Sequence, residues 1–137
     1  MPVAVTEGGN RVVRPVVARA VRGLLVLFTD EDHDAATCAD RLSRLHPGFD
    51  AWPSDGQLGL HLLAWLHGSG LRDPALDAAL AAPDFVKASE AVMQMSNAGH
   101  SGVVALHSHA AHSLRNADRV LRWRINPEPV YFPMVLT

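Results

Sequence analysis

Between Gln57 and His67 the chain reads QLGLHLLAWLH, and Leu58, Leu60, Leu62, Leu63, Trp65 and Leu66 fall on every side of a helix. A helix that is apolar all round has no face to give to water, so other elements must wrap it. The segment is therefore placed at the centre of the core. Ser54-Asp55 precede it as a capping pair, and Gly68-Ser69-Gly70 end it. The rest of the chain has to supply amphipathic elements that cover this helix.

Residues 11 to 29 have helical period, with Val13, Val17, Val21, Leu24 and Phe28 on one side and Arg11, Arg14, Arg19 and Arg22 on the other. Pro15 either sets the true start near residue 14 or kinks the first turn. The run Asp30-Glu31-Asp32-His33-Asp34 opens a second helix that spans Ala35 to His46 and stops at Pro47-Gly48. Asp73-Pro74 opens a short helix to about Ala81. Pro83-Asp84 opens another to about Asn97, with Phe85, Ala88, Val92 and Met95 on one face. Residues 101 to 112 are ambiguous, since Val103-Val104 favour strand and Ala110-Ala111 favour helix; helix is the preferred reading. Ser113 is expected to cap a last helix to about Ile125, and Pro127, Pro129 and Pro133 force an extended end. The expectation is a mainly α, compact single-domain helical bundle of five to seven helices with extended segments at both ends. Its divisions are an arm at 1 to 10, a helical domain at 11 to 125 and a Pro-rich tail at 126 to 137.

At 137 residues with 48% hydrophobic content, the chain is long enough for one core and too apolar for disorder. The longest strongly apolar run, Gly23 to Phe28, is far short of the roughly 18 residues that span a bilayer. One cysteine cannot form an internal disulfide. These features predict a cytoplasmic protein. Arg outnumbers Lys 11 to 1, which fits a GC-rich bacterial or phage coding sequence as readily as selection for guanidinium chemistry.

Eight histidines invite a search for metal ligands. His100, His107, His109 and His112 are the candidates. On a helix His109 and His112 share a face while His107 points away; on a strand His107 pairs with His109. Neither CxxC nor HExxH completes a zinc site. Gly99-His100-Ser101-Gly102-Val103 fails the last position of a nucleophile elbow, and no P-loop or GxGxxG is present. Cys38 sits among Ala36, Ala39 and Leu42 as a small buried residue would. No catalytic residue, cofactor or metal is assigned, and the chain is expected not to be an enzyme.

Charge is more informative once it is divided by segment. The formal total is −2, yet residues 11 to 22 carry +4 and residues 115 to 124 carry +3, four Arg less Asp118, leaving −9 elsewhere. Arg115, Arg119 and Arg122 project within about 60° of one another on a helix, with Trp123 beside them and Arg124 following. Arginine forks bind phosphate oxygens, and an exposed indole stacks on a base. The candidate binding set is Arg11, Arg14, Arg19, Arg22, Arg115, Arg119, Arg122, Trp123 and Arg124, for a nucleic-acid backbone or an acidic protein.

Residues 16 to 72, through DAATCADRLSRLHPGF and SDGQLGLHLLAWLHGSGL, resemble the tri-helical layout of winged-helix repressors, Leu60, Leu63, Leu66, Gly70 and Leu71 fitting the L-x-x-L-x-x-x-G-L run. That resemblance implies a DNA-binding regulator whose reading helix follows the loop at Trp52. In size and character the chain also resembles, as a type, the small helical subunits of CRISPR surveillance complexes. The preferred expectation is a non-enzymatic subunit of a larger bacterial assembly that contacts protein partners and RNA or DNA through its arginine faces. The winged-helix regulator and a His-based metal-binding protein are the alternatives.

Overall fold

A computed structural model describes residues 14–25, 35–68, 71–96, 101–134 and 136. Among these are six helices and no strand: α1 Pro15–Leu25, α2 Ala35–Leu45, α3 Ser54–His67, α4 Pro74–Ala81, α5 Phe85–Ser96 and α6 Ser101–Trp123, with a 3₁₀ turn at Phe49–Ala51. The mainly α bundle expected from the sequence is what forms. The expected arm at 1 to 10 lies outside the described residues.

The local signals explain most boundaries. Pro15 takes the first helical position of α1, where its missing N–H costs nothing, and the Arg14 carbonyl accepts from Val17 and Ala18. Gly48 adopts φ 95° and starts the 3₁₀ turn. Gly68, also at φ 95°, ends α3 with its N–H on the Ala64 carbonyl at 2.7 Å. The Asp73 carboxylate caps α4 through the Leu76 N–H at 2.9 Å, and that of Asp84 caps α5 through Lys87 at 3.0 Å.

Two expectations need correction. Ser54 and Asp55 are not caps: Pro53 holds the N-cap position of α3 without a side-chain cap, and both residues lie inside the first turn. Ser113 does not begin a helix either. It is buried in the middle of α6, which runs unbroken from 101 to 123 because Leu106, Ala110, Leu114, Ala117 and Val120 are buried at helical spacing. Burial of that stripe outweighs the weak strand preference of the two valines.

Helix α3 is buried along its whole length from Ser54 to Ala64. Helices α1 and α2 pack on it through Val17, Val21, Cys38, Ala39 and Leu42. Helix α6 covers α3 and also lies along α5, and α4 closes on α5. The α3–α6 approach is close because two glycines face α6. A Cβ at Gly59 would lie 3.0 Å from both the Ala110 carbonyl oxygen and Leu114 Cγ, and one at Gly56 would lie 3.3 Å from the Ala117 methyl.

After α6 the chain reverses at Arg124, which takes φ 54°, and returns over the start of α3 and the flank of α6 as an irregular strap that turns at Tyr131, whose carbonyl accepts the Met134 N–H at 2.8 Å. Ser54 donates its N–H to the Pro127 carbonyl at 2.8 Å and its hydroxyl to the Glu128 carbonyl. The buried Asp55 carboxylate accepts the N–H groups of Tyr131 at 2.7 Å and Phe132 at 3.2 Å. Asn116 donates to the Met134 carbonyl at 2.8 Å and accepts the Leu136 N–H at 3.2 Å. The polar start of α3 is thus satisfied by the tail rather than by water.

Gly59→Ala should destabilise the fold by about 1–3 kcal/mol although alanine is the better helix former, because a backbone oxygen has nowhere to move. Urea unfolding checks this, and unchanged or increased stability contradicts the close approach. Asp55→Ala leaves two tail N–H groups without their acceptor and should cost about 2–3 kcal/mol. Faster amide exchange at Tyr131 and Phe132 is the local readout.

Candidate partner-binding surface

The end of α6 carries a cluster of basic residues at the surface, while Arg41, Arg44, Arg72 and Lys87 are exposed elsewhere in the fold. Arg115, Arg122 and Arg124 are exposed, as are Leu121 and Trp123, at 50% and 42%. Asp118 sits between two of the arginines, accepting from Arg119 Nη1 at 3.3 Å and from Arg122 Nη2 at 2.7 Å. It holds both guanidinium planes and cancels one of their charges, so residues 115 to 124 keep the +3 counted from the sequence. The helix thus brings Arg115, Arg119 and Arg122 together as its period predicts. Leu121 also borders an apolar groove of about 270 Å³ lined by Trp52, Pro53, Leu80 and Phe85.

The α1 set divides. Arg19 and Arg22 are exposed, and Arg11 lies outside the described residues. Arg14 is turned inward, its side chain 12% exposed. Its Nη1 donates to the Trp52 carbonyl at 2.9 Å and the Ser54 hydroxyl at 3.0 Å, its Nη2 donates to the Asp50 carbonyl at 3.0 Å, and Nε lies 3.6 Å from Glu128. Expected in the basic face, it instead ties the start of α1 to the loop before α3 and to the tail. The loop carbonyls at 50 and 52 give a multi-donor fork these acceptors inside the fold.

The histidines do not converge. His109 and His112 share a face, as expected on a helix, and both meet the ring of Phe132 edge-on at 5.3 and 5.0 Å. The His112 Nε2 also lies 3.2 Å from the Met134 carbonyl oxygen. His107 points elsewhere, its Nε2 2.8 Å from that of His67 at the end of α3, within hydrogen-bond distance. His100 lies outside the described residues. Among the described residues no group of three or more His, Cys, Asp or Glu could hold a metal ion. Cys38 is buried.

The helix that the winged-helix resemblance makes the reading element is α3, and it is the most deeply covered part of the molecule. It carries no Arg or Lys, and no face of it from 54 to 64 is open to a groove of DNA. Among the described residues no helix is long and apolar enough to cross a membrane. No family model, no curated protein and no solved structure matches this chain.

Sequence reasoning did not find the polar seam of Ser54, Asp55 and Asn116, nor the His67–His107 pair. Their partners lie 18 to 77 residues away in the chain, and no local spacing signals them.

Titration has a definite sign here. Burial lowers the His109 pKa and the His112 charge lowers it further. Burial also lowers that of His46, with Asp77 opposing and Arg72 assisting. Such histidines bind fewer protons folded than unfolded, so the stability they contribute is present above the ordinary value of 6.5 and is lost as pH falls through it. Asp55 has the opposite sign in a lower window: burial raises its pKa against the N–H of Tyr131, the Asn116 side chain, the N–H of Phe132 and the His112 charge, so its contribution falls as pH rises through the range above 3.8. Unfolding free energy should therefore decline between about pH 7.5 and 5.5, and less steeply in His109→Gln. An identical decline in the variant contradicts the assignment.

Proposed function

We propose that this chain is a non-enzymatic helical subunit of a larger cytoplasmic, bacterial nucleoprotein assembly, and that the end of α6 contacts a single-stranded nucleic-acid backbone. The observation that carries the reading is the exposed set Arg115, Arg122 and Trp123 on the last turns of one helix with Arg124 directly after it, and Arg119 held beside them by Asp118. Guanidinium forks neutralise phosphates without reading sequence, and an accessible indole stacks on an unpaired base. A duplex offers the indole no free base face, so the single strand is the better match. Exposed Arg19 and Arg22 on α1 provide a second basic patch for the same polyanion. A small subunit lying along the guide or target strand of a CRISPR-like complex is one form this role takes.

Fluorescence anisotropy with a labelled single-stranded RNA of mixed sequence tests the reading. Binding should weaken with salt, and Arg115→Glu with Arg122→Glu should weaken it further while flattening the salt slope, by roughly 0.7 for each phosphate no longer neutralised. Trp123→Ala should cost about 1–3 kcal/mol of binding. Affinity and salt slope that stay the same in all these variants, or a preference for duplex, contradict the reading.

A further inference from the structure

The histidines singled out from the sequence do not meet on one point, yet His107 of α6 meets His67, the last residue of α3. Their Nε2 atoms are 2.8 Å apart and their ring centres 5.0 Å apart, with the ring planes at 38°. A zinc ion held tetrahedrally at about 2.0–2.1 Å from each nitrogen needs the nitrogens roughly 3.3 Å apart and the ring centres about 5.2 Å apart. The ring centres already stand close to that spacing. A turn of the rings, with no shift of either helix, therefore opens the pair into the two arms of a chelate. From this geometry we propose that His67 and His107 form a binding site for one borderline-soft divalent cation such as zinc, bridging the end of α3 to α6.

The fold supplies what such a site requires. Both rings ride on backbones fixed by packing, since Leu63 and Ala64 are buried one turn before His67, and Ala110 and Ala111 one turn after His107. The Gly68 N–H closes the end of α3 on the Ala64 carbonyl at 2.7 Å. His107 is 1% exposed whereas His67 lies at the surface, so one ligand is set in the protein and the ion enters from solvent past the other. A neutral imidazole carries its proton on either nitrogen, and with both protons on Nδ1 the two Nε2 lone pairs are available to one ion. Imidazole donors select zinc and its late first-row neighbours over magnesium or calcium. His67 also ends its helix, where the last carbonyls favour a cation. The positive start of α6 at Ser101 is about 9 Å along the axis from His107, beyond the turn in which a helix end acts. Among the described residues no third His, Cys, Asp or Glu completes the set, so water fills the remaining positions. The site is at the far end of α3 from the tail contacts and is independent of the arginine surface.

Calorimetric titration of the intact, chelator-stripped protein with zinc chloride tests the proposal and should give one ion per chain. His67→Gln changes an exposed residue and should weaken affinity about a hundredfold, as loss of one arm of a two-point contact does. His109→Gln breaks the other histidine pair that shares a helix face and should leave the affinity unchanged. His107→Gln should match His67→Gln. If circular dichroism shows the buried variant unfolded, the native protein supplies the same test: at one equivalent, long-range proton–nitrogen spectra should show zinc shifting Nε2 of His67 and His107 and of no other histidine. Absence of stoichiometric binding, an affinity indifferent to His67→Gln, or zinc shifts at other histidines in place of these two overturns the proposal.

Discussion

The approach of α3 to α6 is the constraint on which the other helices depend. A Cβ at Gly59 would crowd the Ala110 carbonyl oxygen at 3.0 Å, and Gly56 faces the Ala117 methyl. With the backbones this close, one long helix covers a whole side of the apolar α3 and still offers its other flank to α5. Helices α1 and α2 then need only modest apolar stripes to cover the remaining sides. The order of importance is steric first and hydrophobic second: large side chains at the two glycines would hold α6 away and leave voids between the two helices.

A second constraint follows from the first. When the start of α3 is buried, its unpaired N–H groups and the Ser54 and Asp55 side chains lose water and must find partners inside the fold. The tail provides them, and Arg14 seals the outer edge by joining the loop carbonyls, the Ser54 hydroxyl and Glu128. This internal use of Arg14 shapes the surface as well. Of the arginines on α1 and α6, those left for partners are Arg19 and Arg22 and, more densely, the set at the end of α6.

How much of this is legible in the sequence depends on the range of the interaction. Proline and aspartate at 73, 74 and 84 mark the starts of α4 and α5 because a cap acts within four residues, and the unrelieved apolar character of 57 to 67 reports its own burial. The arginine face of α6 is likewise a matter of helical period. The unity of α6 is harder to read, since serine and valine have local preferences that long-range packing overrides. Arg14 and Asp55 are opaque for a stronger reason: their chemistry is that of surface residues, and only partners 36 to 114 positions away bury them.

The central claim is that backbone-close packing of α3 on α6 organises the molecule. Nuclear Overhauser spectroscopy on the folded protein tests it most directly. Strong cross-peaks are predicted from the α-protons of Gly59 to the Leu114 methyls, and from those of Gly56 to the Ala117 methyl and the Phe85 ring, whose atoms lie 3.0–3.4 Å from the missing Cβ positions. A folded protein that lacks these cross-peaks would contradict the account.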